Sequence, residues 1–312
     1  FFFLCKNALR AVQLVKRKFI SRATNLVHSN GVASWTPAMI AQMVDKHPVT
    51  DEHDWEPPLP VDMDLSKLRD ILADADPLTG VGPRGLKSTY LSVLVNASGD
   101  GDPEAAAAYP QFQRLGKLYC NAMLPPWLNF ALGGGALTAV LKKALEELEV
   151  GAEPDGRPVK AEDADTSSFT KAVQRDCTAA VLETVRPQQL GVKVSGGVET
   201  VVLGVKLWFE EQKHACSRRA VALKLDIRNA HNSFSRPAAM AALKLAAATS
   251  DSHAMLARAW HAMTFQKNPI YIRDPTAATG WCFLCFSSAG GGQGNALTSL
   301  VFVMVIGPSQ LK

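Results

Sequence analysis

The apolar period changes along this chain, and that change restricts the folds open to it. Most of the first two hundred residues read as helices. From Arg219 onward Val221, Leu223, Leu225 and Ile227 alternate with Ala222, Lys224, Asp226 and Arg228, the two-residue period of a half-buried strand. Helical spacing is expected from Asn7 to Leu26, from Pro37 (after a Thr36 cap) to just before His47-Pro48, and on the face of Leu65, Leu68, Ile71 and Leu72 behind an Asp64 cap. Further helices are expected over Phe112–Leu124, Leu137–Leu148, Phe169–Val185 and Val198–Gln212, and one long Ala-rich helix from Ser235-Arg236-Pro237 towards Phe265. Glycine-bearing loops fall at Gly80–Gly85 and Asn96–Pro103, and a charged turn region at Gly151–Arg157. Pro269–Arg273 and Gly280–Ser288 form a hairpin pattern, broken by Gly290-Gly291-Gly292 ahead of a buried segment to Ile306. Helices with a few antiparallel strands make an α+β fold.

At 312 residues, 47% hydrophobic and 20% charged, the chain buries a sizeable core and is neither disordered nor an integral membrane protein. Its longest apolar run, Leu300–Ile306, is far too short to span a bilayer. Six cysteines in such a length make no disulfide framework, so a reducing, intracellular setting (nuclear or cytoplasmic) is expected rather than secretion. Cys282 and Cys285 form a CxxC without a second pair at zinc-ligand spacing; on a strand they are expected to face opposite sides as buried structural thiols. Residues 1–44 carry six Lys/Arg and no Asp/Glu, leaving 27 basic against 29 acidic residues elsewhere. The basic excess is thus an N-terminal arm, suited to phosphates or to a solvated helix face. An apolar start at Phe1–Cys5 without Met, followed by Lys6, Arg10 and Lys16 rather than a cleavage site, gives no signal peptide and reads as the start of a fragment.

Asp226 is the residue to weigh for chemistry. Strand alternation sends Leu225 and Ile227 into the core and Asp226 to the open face, where a carboxylate can bind a divalent cation that also meets substrate phosphates. The stretch Leu223-Lys-Leu-Asp226-Ile-Arg-Asn-Ala230-His-Asn-Ser-Phe-Ser-Arg236 resembles the first palm motif of reverse transcriptases, and Gly292-Gln293-Gly294-Asn295-Ala296-Leu297 resembles the family's Gln-Gly motif, which opens a helix beneath the incoming nucleotide. Glycines allow close backbone approach there, and Asn295 can cap the helix. The two motifs lie in the family's order, about 65 residues apart. Three weaker matches precede them in order: Gly82-Pro83-Arg84-Gly85-Leu86, Arg157-Pro158-Val159, and Gln189-Leu190-Gly191 with Ser195-Gly196-Gly197.

The resemblance covers about residues 80–307 and is to the reverse transcriptase domain of non-LTR (LINE-like) retrotransposons. It implies right-hand polymerase-type fingers over 76–190 and a partial palm over 191–312, preceded by a basic helical region and linker over 1–75. It also implies an RNA-directed DNA polymerase that adds dNTPs to a DNA primer on an RNA template using two Mg²⁺ ions. Asp226 would hold both metals with the Ile227 carbonyl as a further ligand. Arg157 and Lys160 would neutralise the triphosphate, and Gln293 and Gly294 would floor the nucleotide. His231 stands where the family has an aromatic residue that excludes a 2′-hydroxyl, a departure that puts the gate in doubt. The family's aromatic-x-Asp-Asp motif does not occur in the 312 residues, so the expectation is an incomplete, inactive fragment. Its alternative is a non-catalytic nucleic-acid-binding remnant. A Ser/His/Asp hydrolase is disfavoured, since no Gly-x-Ser-x-Gly elbow is present.

Overall fold

In the computed structural model, which describes residues 11, 12, 14–16, 29–50, 56–75, 79–214 and 226–307, the chain divides into two compact units. The expected Asn7–Leu26 helix lies largely outside the described residues, as does the strand expected over Val221–Leu225.

The first unit joins Phe1–Met43 to Thr138–Pro158. Thr36 Oγ1 accepts a hydrogen bond from the Met39 amide at 3.2 Å, and Pro37 starts helix α1 (Pro37–Asp45), as its cap and first-turn residues dictate. Met39 and Met43 are buried and close over Gly156, where a Cβ would stand 3.1 Å from each of their side chains. The Gln42 side chain fixes this contact by accepting from the Gly156 amide at 2.9 Å and donating to the Pro154 carbonyl. Val32 bridges Val140 in antiparallel fashion, with Ala33 N donating to Ala139 O at 2.9 Å.

The second unit holds Val44–Leu137 and Val159–Lys312. Asp64 Oδ1 accepts from the Ser66 amide, and α2 (Leu68–Ala73) follows with Leu65, Leu68, Ile71 and Leu72 all buried. Helix α3 (Ser88–Gly99) takes the first half of the expected Asn96–Pro103 loop and the next helix its last residue, leaving only Asp100–Asp102 as the turn. Asp102 then caps α4 (Pro103–Cys120), accepting from Ala105 N at 2.8 Å. Helix α5 (Pro126–Gly133) leads into β1 (Gly135–Leu141). The expected Leu137–Leu148 helix is therefore wrong. So short an apolar run carries no period that separates helix from strand, and the β-branched Thr138 and Val140 favour the pleat.

β2 (Gly156–Ala161) and the 22-residue α6 (Ala164–Val185) follow, then α7 (Gly197–His214), α8 (Ala230–Ser233), α9 (Arg236–Ala247) and α10 (Asp251–Thr264). The single Ala-rich helix expected from Arg236 to Phe265 is two, because Ser250 turns extended and accepts from His253 N as a new cap. β3 (Asn268–Arg273) and β4 (Trp281–Ser287) form the expected antiparallel hairpin, and α11 (Thr298–Val305) closes the described chain. The sheet order is β2-β1-β3-β4, with β1 parallel to β3. The fold is thus α+β, a mixed four-stranded sheet among helices. The core of this unit gathers around α6 and α10, where Phe169 and Trp260 are fully buried. Gly116 admits Phe169 and Leu65, which a Cβ would meet at 2.6 and 2.8 Å.

A bulge in β4 overturns the expectation for its cysteines. Ile270 pairs with Cys285 but Tyr271 with Phe283, so Leu284 is the extra residue. Cys282 and Cys285, opposite Ile272 and Ile270, therefore share one face instead of opposing ones. Cys282 is exposed and Cys285 half-buried; burial pushes the Cys285 thiol up to about 11.

Candidate functional site

The edge of β2 supplies the first wall of the site. Lys160 is buried, and its ammonium donates to the Gly133 carbonyl at 3.0 Å and pairs with Glu162 at 3.5 Å. Its methylenes cross Gly135 and Gly292, where a Cβ would come within 2.1 and 2.7 Å of them. Lys160 N donates to the Gln293 carbonyl at 2.8 Å. Gly294, at φ +117°, lies so close to the Lys160 carbonyl that a Cβ would stand 2.4 Å from it. The glycine-rich sequence here is required by the lysine and backbone it wraps, and only Gly occupies that φ without strain.

Glu162, two residues along, receives both its hydrogen bonds at 2.9 Å from the Asn295 side-chain amide. Asn295 Oδ1 in turn accepts from Leu297 N at 2.8 Å. Asn295 thus caps a turn, and α11 starts only at Thr298. The expectation that Gln-Gly opens the helix directly is corrected by three intervening residues, since Gly294 stands outside helical φ.

The second wall is the segment from Asp226 to Arg236. Gly290 N donates to Phe234 O and Gly291 N to His231 O, both at 2.8 Å. Gln293 N donates to Asn232 Oδ1 at 3.2 Å, and Asn232 Nδ2 donates to Asn229 Oδ1 at 3.0 Å. Asn229, left-handed at φ 56°, ends the relay by donating to the Lys46 carbonyl. Asn is among the few residues that tolerate that conformation. Arg236 locks the arrangement from beneath. Its Nε donates to Gly290 O at 2.9 Å, Nη1 to the carbonyls of Thr264 and Gln266, and Nη2 to the carbonyl and hydroxyl of Ser287. Burial pulls this guanidinium down to about 9, so it is still a cation at neutral pH.

A third loop joins the same strand end. Asp163 accepts from the amides of Arg84 and Leu86, and Arg84 makes a two-pronged pair with Asp165 at 2.9 and 2.7 Å. Burial raises the Asp163 carboxyl against these favourable contacts. Gly82 has no room for a Cβ, which would fall 2.5 Å from Asp163 N. The Gly82–Leu86 segment is thereby tied to the residues that follow Lys160.

The structure brings together Lys160, His231, Gln293 and Gly294 of the residues expected from sequence. His231 is half-buried with its ring edge-on to Phe302 at 5.6 Å, and burial lowers its pKa. Asp226 and Ile227 precede α8, outside any regular element, and both are exposed. Ile227 is 55% exposed, which corrects the expectation that it points into the core; it stands in irregular backbone, where strand alternation does not apply. Arg157 lies in the first unit, exposed on β2. Among the described residues no three of His, Cys, Asp and Glu converge into a metal-holding group.

Glu162, Asn232 and Arg236 were not singled out from sequence, though all three are central to the geometry. The Asn229-x-x-Asn232 spacing, one helical turn, is the one signal that points to the amide relay. Chemically, the site is a rigid floor in which two distant glycine- and asparagine-rich segments meet, with an exposed carboxylate on the approaching chain. Compared with known proteins, no family model and no curated sequence matches this chain.

Proposed function

We propose that this chain is part of an RNA-directed DNA polymerase of a non-LTR-type retroelement and that residues 226–236, 290–297 and 159–165 form its nucleotide-facing floor. One observation carries the reading. The two segments that resemble the family's first palm motif and its Gln-Gly motif, distant in sequence, are hydrogen-bonded to each other through Asn232–Gln293, and the two glycines just ahead of the second are held by the first through His231–Gly291 and Phe234–Gly290. Such contact is what a shared nucleotide site demands of them.

In this reading Gln293 and Gly294 lie under the incoming base pair, and His231, braced on Phe302, lines the sugar side. RNA template, DNA primer and dNTPs are the partners, with polymerase-type fingers over 76–190 and a partial palm over 191–312. The two Mg²⁺ ions of the family's chemistry are not provided for by the described residues, since Asp226 has no converging metal-holding group. No catalytic step is assigned through them. Lys160, whose ammonium is taken by Gly133 and Glu162, supports the floor from behind in this state.

The test is ternary-complex formation on an RNA template with a chain-terminated DNA primer. The expected result is that the next complementary dNTP slows dissociation of the primer–template at least about tenfold relative to a mismatched dNTP, and that Gln293→Ala removes most of this preference. Nucleic-acid binding with no dNTP preference, unaffected by Asp226→Ala, selects the second reading, a non-catalytic binding remnant. The burial of the Lys160 ammonium favours that alternative. Absence of any primer–template binding defeats both.

A further inference from the structure

The outer face of the β3–β4 hairpin carries a continuous row of aromatic rings that the site above does not use. Tyr271 and Phe283 are cross-strand partners with ring centroids 6.2 Å apart. The bulge at Leu284 puts Phe286 on the same face as Phe283, at 4.9 Å. Phe130 of α5 extends the row, 6.3 Å from Phe286. Trp127 stands one turn earlier on that helix. At the other end Arg273 pairs with Trp281, its guanidinium 5.4 Å from the ring centroid. These side chains are open to solvent: Trp127 is 70%, Phe283 48%, Phe286 39% and Phe130 37% exposed.

Exposed aromatic surface of this extent marks a contact site. Its chemistry selects the occupant. The row consists of π-faces ending in an exposed guanidinium. No charged residue occurs from Asn121 to Leu141, and between Ala254 and Gly307 the charges are Arg258, Lys267, Arg273 and a single acid, Asp274. Flat rings in series with one exposed cation, Arg273, at the end of the row complement stacked bases on a phosphate backbone.

We propose that this hairpin face is a stacking platform for single-stranded nucleic acid, engaging bases on Phe283, Phe286 and Trp127 and a phosphate on Arg273. The proposal rests on the nucleic-acid reading above and adds to it a second surface, on the hairpin whose β4 strand leads into the Gln293–Gly294 loop, read without sequence preference. Because stacking uses the base and not its hydrogen-bonding edge, affinity depends on bases being present and little on which they are.

The experiment compares binding of the whole chain to a 12-nucleotide oligothymidylate and to an abasic oligomer of equal length and charge. Wild-type protein is expected to favour the base-bearing strand at least about tenfold, with Phe283→Ala/Phe286→Ala reducing that ratio to near one. Arg273→Ala is expected to weaken both strands and lower the salt dependence by about one phosphate contact. Unchanged melting of these surface variants shows that the fold survives; if the double variant melts early, Trp127→Ala reads the same ratio. Equal affinity of wild-type protein for the two strands overturns the proposal, as does a Phe283-dependent dimer in sedimentation, which would make the row a self-association face. If primer–template duplex still binds in either case, the platform alone fails. If duplex binding is also absent, the nucleic-acid reading fails with it.

Discussion

Arg236 is a buried cation whose hydrogen-bond partners are neutral. Its three nitrogens reach the carbonyls of Gly290, Thr264, Gln266 and Ser287 and the Ser287 hydroxyl. A charge out of water is tolerated only when its donors are so engaged. Replacing it with Met leaves those carbonyls facing an apolar chain. Arg236→Met is expected to cost about 3–5 kcal/mol in urea unfolding, and Arg236→Lys to recover only part, because one ammonium cannot span the same acceptors. His261 gives a separate handle. Burial, then Arg258 and Lys244, push its pKa down to about 4, while the unfolded imidazole titrates near 6.5. Between those values the unfolded chain holds more protons, so stability falls as pH drops from about 6.5 towards 4, by up to about 3 kcal/mol. His253, lowered by burial as well, adds in the same direction. Denaturation midpoints across this window check it, and His261→Gln is expected to flatten the slope; an unchanged slope counts against the assignment.

At the scale of elements, the glycines of 290–294 show how a loop is shaped by what it wraps. Gly101 and Gly294 both have positive φ, but a Cβ on Gly101 meets open space and one on Gly294 meets the Lys160 carbonyl at 2.4 Å. Gly101→Ala is expected to cost about 1 kcal/mol from backbone strain alone, and Gly294→Ala about 2–4 kcal/mol with loss of the Lys160–Gln293 backbone hydrogen bond, readable by chemical denaturation and by hydrogen exchange at Lys160 N. Sequence pattern located α1, α6, α7 and the hairpin because each carries its own cap or period, as Thr36-Pro37 does for α1. It failed for β1, whose short apolar run carries no distinct period, and for the break at Ser250, where the cap signal of Thr249-Ser250-Asp251-Ser252 was passed over between two Ala-rich stretches. The bulge at Leu284 was likewise invisible, since nothing in Cys282–Phe286 differs from a regular strand. Of the candidate site, Gln293 and Gly294 were singled out by the resemblance of their segment to the Gln-Gly motif. Glu162 and Arg236 were not, because their importance lies in partners distant in the chain.

For the whole molecule, charge distribution decides how nucleic acid would be held. The net +4 conceals an arm of six cations within the first 22 residues against a remainder that is slightly acidic. Phosphate contacts release counterions, so each neutralised phosphate adds about 0.9 to the steepness of log affinity against log salt. If the arm engages duplex phosphates with all six side chains, the slope is roughly −5. A measurement of primer–template affinity from 50 to 200 mM salt is expected to approach that value, and changing Lys6, Arg10, Lys16, Arg17, Lys18 and Arg22 to Gln is expected to bring it near zero. Base-dependent binding at the β3–β4 hairpin is expected to survive that change, because stacking on Phe283 and Phe286 is not a counterion effect. An unchanged salt slope in the six-fold variant would move the phosphate contacts onto the rest of the chain. In that case Arg273 and the exposed Arg157 are the next residues to neutralise.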